Sequence, residues 1–183
     1  MVTVMLCGSE KESDMINVLQ ATTNAAHAAA LYITSKSVSL LPPSALQPDL
    51  LIIDSSNIHD LHIEKGIVLF KRDVTGFDLD LPKNFIAVVE SDNDKAIEIL
   101  KKNGLQTVTC GLSQRDTLTF SSIDTERAVI SLQREISSIS GEIILPHELP
   151  VSLKSSFSKY QILAAAAILL LSELQIPETG ICL

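Results

Sequence analysis

Residues 160–171 read Tyr160-Gln161-Ile162-Leu163-Ala164-Ala165-Ala166-Ala167-Ile168-Leu169-Leu170-Leu171, the heart of a closing helical stretch from Lys154 to Pro177. Four consecutive alanines form a small-residue stripe, which lets a helix backbone lie close against a sheet. The apolar run from Ile162 to Leu171 has ten residues, where a membrane span needs roughly 20. A helix packed on the sheet of a soluble α/β domain is therefore expected, with Ile162 to Leu174 on the sheet through the alanines.

Upstream segments supply that sheet. Val2 to Cys7 is a short, nearly continuous apolar run, as expected of a parallel strand buried on both faces. Leu50–Ile53, Gly66–Phe70, Phe85–Val89 and Gln106–Cys110 read the same way. After a turn at Gly8, Met15, Ile16, Leu19, Thr23, Ala26, Ala30 and Ile33 recur at helical spacing and predict one long helix. Pro42, Pro43 and Pro48 punctuate the next loop. Ser91-Asp92-Asn93-Asp94 reads as a capping box opening a second helix, which Asn103-Gly104 ends as a left-handed cap. Beyond Gly111 the pattern alternates in Thr117–Ile123, Ala128–Ile136 and Glu142–Leu153, the mark of antiparallel strands with one wet face. The fold class expected is α/β. One domain over residues 1–183 carries a mostly parallel sheet flanked by helices, with an antiparallel excursion before the last helix.

Composition narrows the partners. The formal net charge is −8 and Lys and Arg do not cluster, which argues against nucleic acid and against an anionic membrane surface. Cys7, Cys110 and Cys182 stand alone, without a Cys-x-x-Cys pair or a disulfide framework. The N-terminus lacks the basic flank of a signal peptide and meets Gly8 early, so a cytoplasmic protein is expected.

Several of these segments, in order, resemble the central domain of the Mur ligase and folylpolyglutamate synthase superfamily, ATP-dependent ligases. Val4 to Ser13 occupies the place of its first strand and phosphate loop. Pro48-Asp-Leu-Leu-Ile-Ile-Asp-Ser-Ser56 resembles a strand ending in Glu-x-Ser-Ser, and Gly66-Ile-Val-Leu-Phe-Lys-Arg-Asp73 one ending in Thr-Asn. Ala87–Asp94 resembles a Val-x-Asn-x-Asp-Asp stretch, Thr107–Gly111 a strand ending in Gly, and Gly141–Pro146 with Leu149–Val151 a hairpin region. Tyr160 to Pro177, with Tyr-x-x-Leu-Ala-Ala-x-Ala and Leu-x-Ile-Pro, closes the domain. The resemblance also implies a precursor-binding domain before this one and a ligase domain after it, for which 183 residues leave no room.

The motifs that would carry chemistry depart from the family pattern. A phosphate loop needs glycines that expose N–H groups, a lysine on the phosphates and a Ser or Thr on magnesium. The family form Gly-Thr-Asn-Gly-Lys-Thr reads Gly8-Ser9-Glu10-Lys11-Glu12-Ser13 here. Gly8 and Ser13 remain, Lys11 replaces the second glycine, and Glu12 places a carboxylate where the lysine belongs. Ser9-x-x-Glu12 also reads as a capping box for the first helix. Asp54 stands either for the family's metal-binding Glu, at a strand's carboxyl end, or as a turn residue with Ser55 and Ser56. The frame Gly-x-His-Asn-x-x-Asn reads Ser155 to Gln161, with Phe157 for His and Gln161 retaining an amide.

Two further constellations are candidates on chemistry alone. Asp54, His59, Asp60, His62 and Glu64 form an acidic loop that either binds metal or is simply a surface loop. Cys110 with His27 or His147 would make a thiol and base, if the fold brought them together.

The expected function is a non-catalytic binding or assembly protein, with no cofactor and with a protein partner or further copies of itself. A link to bacterial cell-wall peptide metabolism is implied by the resemblance only. Gly8, Ser9, Ser13, Asp54 and Gln161 are then vestiges of a nucleotide site. The alternatives are a nucleotide-binding subunit, using ATP and magnesium and completing its site with another chain, or a small-molecule binder at the strand-end crevice.

Overall fold

The computed structural model describes residues 1–9, 14–42, 45, 47–55, 62–74, 81–177 and 180–183. In chain order the elements begin β1 (Val2–Cys7), α1 (Asp14–Ala25), β2 (Ala30–Thr34), β3 (Val38–Leu41), β4 (Leu50–Asp54), β5 (Gly66–Phe70) and β6 (Phe85–Glu90). They continue with α2 (Asp94–Asn103), β7 (Gln106–Cys110), β8 (Leu118–Ile123) and β9 (Arg127–Leu132). The rest are β10 (Ile136–Ser137), β11 (Ile143–Ile144), β12 (Glu148–Ser152), α3 (Lys159–Leu171) and β13 (Ile181–Cys182).

Among the described residues, an 11-stranded sheet runs in the order β13-β12-β9-β8-β7-β6-β5-β1-β4-β2-β3, and β10 pairs with β11 apart from it. From β7 to β2 all neighbours are parallel, and β8, β9 and β12 form the antiparallel wing. The apolar runs divide residue by residue between two cores. Val4, Leu6, Ile67, Leu69, Ile86 and Val88 face α1 and α3, whereas Met5, Cys7, Val68, Phe70, Ala87 and Val89 face α2. Strands buried on both faces have no polar side to show, which is why their sequence does not alternate.

α3 is buried at every residue from Ile162 to Leu171. A helix apolar on all sides must be enclosed by protein, and α3 packs against α1 and strands β5 to β8. Burial of each of its leucines stabilises the fold by about 1.5–3 kcal/mol. No helix among the described residues is long and apolar enough to cross a membrane.

Four expected boundaries are corrected. The helical pattern through Ala30 and Ile33 ends at Ala25, and residues 30–34 are β2. His27, with φ 53°, takes the left-handed conformation that stops a helix, and Leu31, Tyr32 and Ile33 beyond it are strand formers. The N-cap of α2 is Asn93, not Ser91: its side chain accepts from Ala96 N–H. At the other end Gly104, with φ 64°, caps the helix as expected. The closing helix starts at Lys159 rather than Lys154, because Ser158 and Gln161 form a reciprocal capping box. It stops before Leu174, at Ser172, with Glu173 at φ 56° beyond.

Candidate functional site

The chain leaves β1 toward α1 and β2 on one side of the sheet, and leaves β5 toward β6 on the other. β1 and β5 are neighbours. Their carboxyl ends therefore flank a topological switch point, where parallel α/β sheets bind ligands. Gly8 and Ser9 follow β1, Lys71 to Asp73 follow β5, and Asp54 ends β4 on the far side of β1.

Lys71 is wholly buried in this crevice. Its Nζ donates to Asp54 Oδ1 at 2.7 Å and to the Ser9 carbonyl at 3.0 Å. Asp54 is itself 4% exposed, so the pair is a buried one; Ser56 of the turn reading lies outside the described residues. The carboxylate that the resemblance assigns to a metal faces an ammonium of its own chain. Sequence reasoning passed over Lys71, although a lysine directly after an apolar strand was a readable signal; its nearness to Asp54 comes from the sheet order.

Gly8 and Ser9 are shaped around that lysine. Gly8 has φ 143°, and a Cβ there would lie 2.8 Å from both Lys71 Cβ and Asp73 O. Its bare backbone thus admits Lys71. The Ser9 N–H, which a phosphate loop would turn toward an anion, donates to Asp73 O at 2.8 Å. Ser13 and the rest of 10–13, including the Glu12 half of the expected cap, lie outside the described residues.

The segment after β5 is held from three further sides. Lys71 N–H donates to Cys7 O at 2.8 Å, Asn93 Nδ2 donates to Lys71 O at 3.0 Å, and the Tyr160 hydroxyl donates to Phe70 O. Next to it, Arg72 makes a forked pair with Glu90 at 2.7 and 2.5 Å. Around Arg72 two cavities open beside Tyr160. One, about 240 Å³, is lined by Asp14, Arg72, Ser158 and Gln161. The other, about 260 Å³, is lined by Arg72, Glu90, Asp92, Leu112 and Lys159. Gln161 reaches the first cavity, but its Oε1 accepts the Ser158 N–H at 2.7 Å and so serves the helix cap.

His59 and Asp60 lie outside the described residues, and no group of three metal-ligating side chains occurs among those described. Burial pushes the Cys110 thiol far up, helped by the Asp116 and Glu90 carboxylates. Cys7 is raised by burial as well, with Lys71 pulling partly the other way. Raised pKa values favour the protonated thiol at both positions, which argues against Cys110 as a nucleophile.

No family model matches the sequence, and no curated protein matches it. Solved structures do. E. coli FolC in complex with DHPP and ADP aligns at TM-score 0.60 and 13% identity, over 98% of this chain and 55% of that one. A UDP-N-acetylmuramoyl-L-alanyl-D-glutamate–2,6-diaminopimelate ligase aligns at TM-score 0.55 and 11% identity, over 94% of this chain and 43% of that one. The MurF ligase from Thermotoga maritima in complex with ADP aligns at TM-score 0.51 and 11% identity, over 94% and 45%. The chain thus spans about half the length of these ligases, and the likeness is one of fold.

Proposed function

We propose that this chain, which has the Mur ligase/folylpolyglutamate synthase fold, is a non-catalytic domain that works by binding or assembly. Its setting, on this reading, is bacterial cell-wall peptide metabolism or machinery related to it. One observation carries the reading: the Lys71 ammonium lies on Asp54 Oδ1 and the Ser9 carbonyl, inside the crevice at the switch point. A magnesium-nucleotide would need the Asp54 carboxylate for its metal and the Ser9 N–H for a phosphate. The first is neutralised by Lys71, and the second is spent on Asp73. In sequence, Glu12 and Lys11 add a repelling carboxylate and a crowded backbone where the loop should be open. These residues do not fit the group.

The test is calorimetric titration with ATP and magnesium of the wild type, Glu12→Lys and Lys71→Ser. The expected result is no usable binding by the wild type and no rescue by Glu12→Lys. A wild-type dissociation constant in the micromolar range, ~8 kcal/mol of binding free energy, would overturn the reading. The nucleotide-binding subunit that borrows groups from another chain would then take its place.

A second reading is favoured by a separate observation. The cavities on either side of Tyr160, about 240 and 260 Å³, share the Arg72 wall and open at the strand ends. They suit a small polar ligand, and melting shifts against a panel of cell-wall precursors would report it.

A further inference from the structure

Six large apolar side chains are exposed among the described residues: Met1, Val38, Leu112, Ile123, Ile143 and Leu145. Three of them fall in two features that complement each other. The first is a groove of about 510 Å³ between the β8–β9 turn and the segment leading into α3. Ile162 lies deep in it, Ile123, Leu153 and Phe157 add apolar wall, and Lys154 and Lys159 stand on its rim. Both lysines are exposed, and neither ammonium has a hydrogen bond or ion pair among the described residues. The groove also carries one acid, Asp124, whose Oδ1 accepts the backbone N–H of Glu126 and Arg127 at 2.8 and 2.7 Å, so the two lysines outnumber it. In a chain of net charge −8, this is an apolar trough with a positive rim.

The second feature is the extended strip from Glu142 to Glu148. Ile144 packs on the core, so its neighbours Ile143 and Leu145 point outward, 55% and 65% exposed. The period of two in an extended chain produces that alternation. Exposed carboxylates bracket the apolar pair, that of Glu142 without a partner among the described residues and that of Glu148 accepting from Ser121 Oγ at 2.6 Å. The strip is apolar with acidic ends, the inverse of the groove.

We infer that the groove of one copy receives the 142–148 strip of a second copy. A molecule cannot close on itself in this way. The strip runs into the start of β12 and the groove begins at Leu153, just past its end. Five residues of strand set the two about 17 Å apart. The contact is therefore heterologous: each copy offers one strip and one groove, and copies add head to tail into a ring or an open chain. The Glu142 and Glu148 carboxylates meet the Lys154 and Lys159 ammoniums, and Ile143 and Leu145 enter the trough. This association is independent of whether the strand-end crevice takes a nucleotide.

Sedimentation velocity over a concentration series reads the assembly, with circular dichroism melts to establish that each variant folds. The wild type should grow in mass with concentration beyond a dimer. The groove variant Lys154→Glu/Lys159→Glu and the strip variant Ile143→Asp/Leu145→Asp should each be monomeric. Mixed in equal amounts they should form a dimer and nothing larger, because the groove variant keeps its strip and the strip variant keeps its groove. A wild type that stays monomeric at every concentration overturns the inference and leaves the groove to a different occupant. A mixture of folded variants that forms no dimer overturns it too, since a two-fold contact or another surface would then be at work.

Discussion

The hydroxyl of Tyr160, in the first turn of α3, donates to the carbonyl of Phe70, the last residue of β5. Ninety residues of chain separate them, yet this bond fixes the backbone from which Lys71 departs. Tyr160→Phe removes the donor and keeps the ring. A loss of about 1–2 kcal/mol in urea denaturation is expected, since the acceptor is buried. An unchanged midpoint would mean that Tyr160 holds β5 by packing alone.

The Lys71–Asp54 pair should behave as a buried ion pair. Lys71→Met leaves a buried carboxylate without its cation, at a cost of about 3–5 kcal/mol. Lys71→Met combined with Asp54→Leu should cost clearly less than the sum of the two single changes. Additive losses in the double-mutant cycle would show that the two groups are not energetically coupled.

Gly8 should tolerate no side chain. In Gly8→Ala the new methyl meets Asp73 O and Lys71 Cβ at 2.8 Å, on a backbone at φ 143°. Strained backbone of this kind costs of order 1–3 kcal/mol. If Gly8→Ala melts with the wild type, the glycine is not there to admit Lys71.

Thiol labelling separates the cysteines. With their pKa values raised, Cys7 and Cys110 carry too little thiolate to react in the native state. Native protein at mild alkaline pH should leave both unmodified by iodoacetamide, and denaturant should expose them. Rapid native labelling of Cys110, read by peptide mass, would restore it as a candidate nucleophile.

The α3 cap is the last test. Ser158→Ala removes the acceptor for Gln161 N–H and should cost about 0.5–2 kcal/mol. Ser9→Ala, made alongside, measures whether the Ser9 side chain caps α1. Equal losses would support both caps, whereas a loss for Ser158 alone would leave Ser9 acting through its backbone.

The parallel strands were legible because burial on both faces leaves an unbroken apolar run, as in Val2–Cys7 and Gly66–Phe70. β2 was hidden because Ala26, Ala30 and Ile33 continue the helical spacing by coincidence, and the stop lies in the backbone angle of His27. The site was harder. Asp54 could be marked as a carboxylate at a strand end and Lys71 as a lysine just past one, but that their strands lie on either side of β1 is fixed by topology. Gln161 looked like a ligand residue because an amide can serve either a ligand or a helix cap, and only geometry tells which.

Lys71 also changes the terms on which any diffusible cation could reach Asp54. A magnesium ion arrives at whatever concentration the solution holds. The ammonium of Lys71 is tethered to the same backbone, and a group so tied competes at an effective concentration on the order of millimolar or above. Dilution does not remove it, and chelators do not touch it. The order of this corner should therefore be the same in EDTA as in excess magnesium, with the counter-ion inherited from the chain instead of collected from the medium.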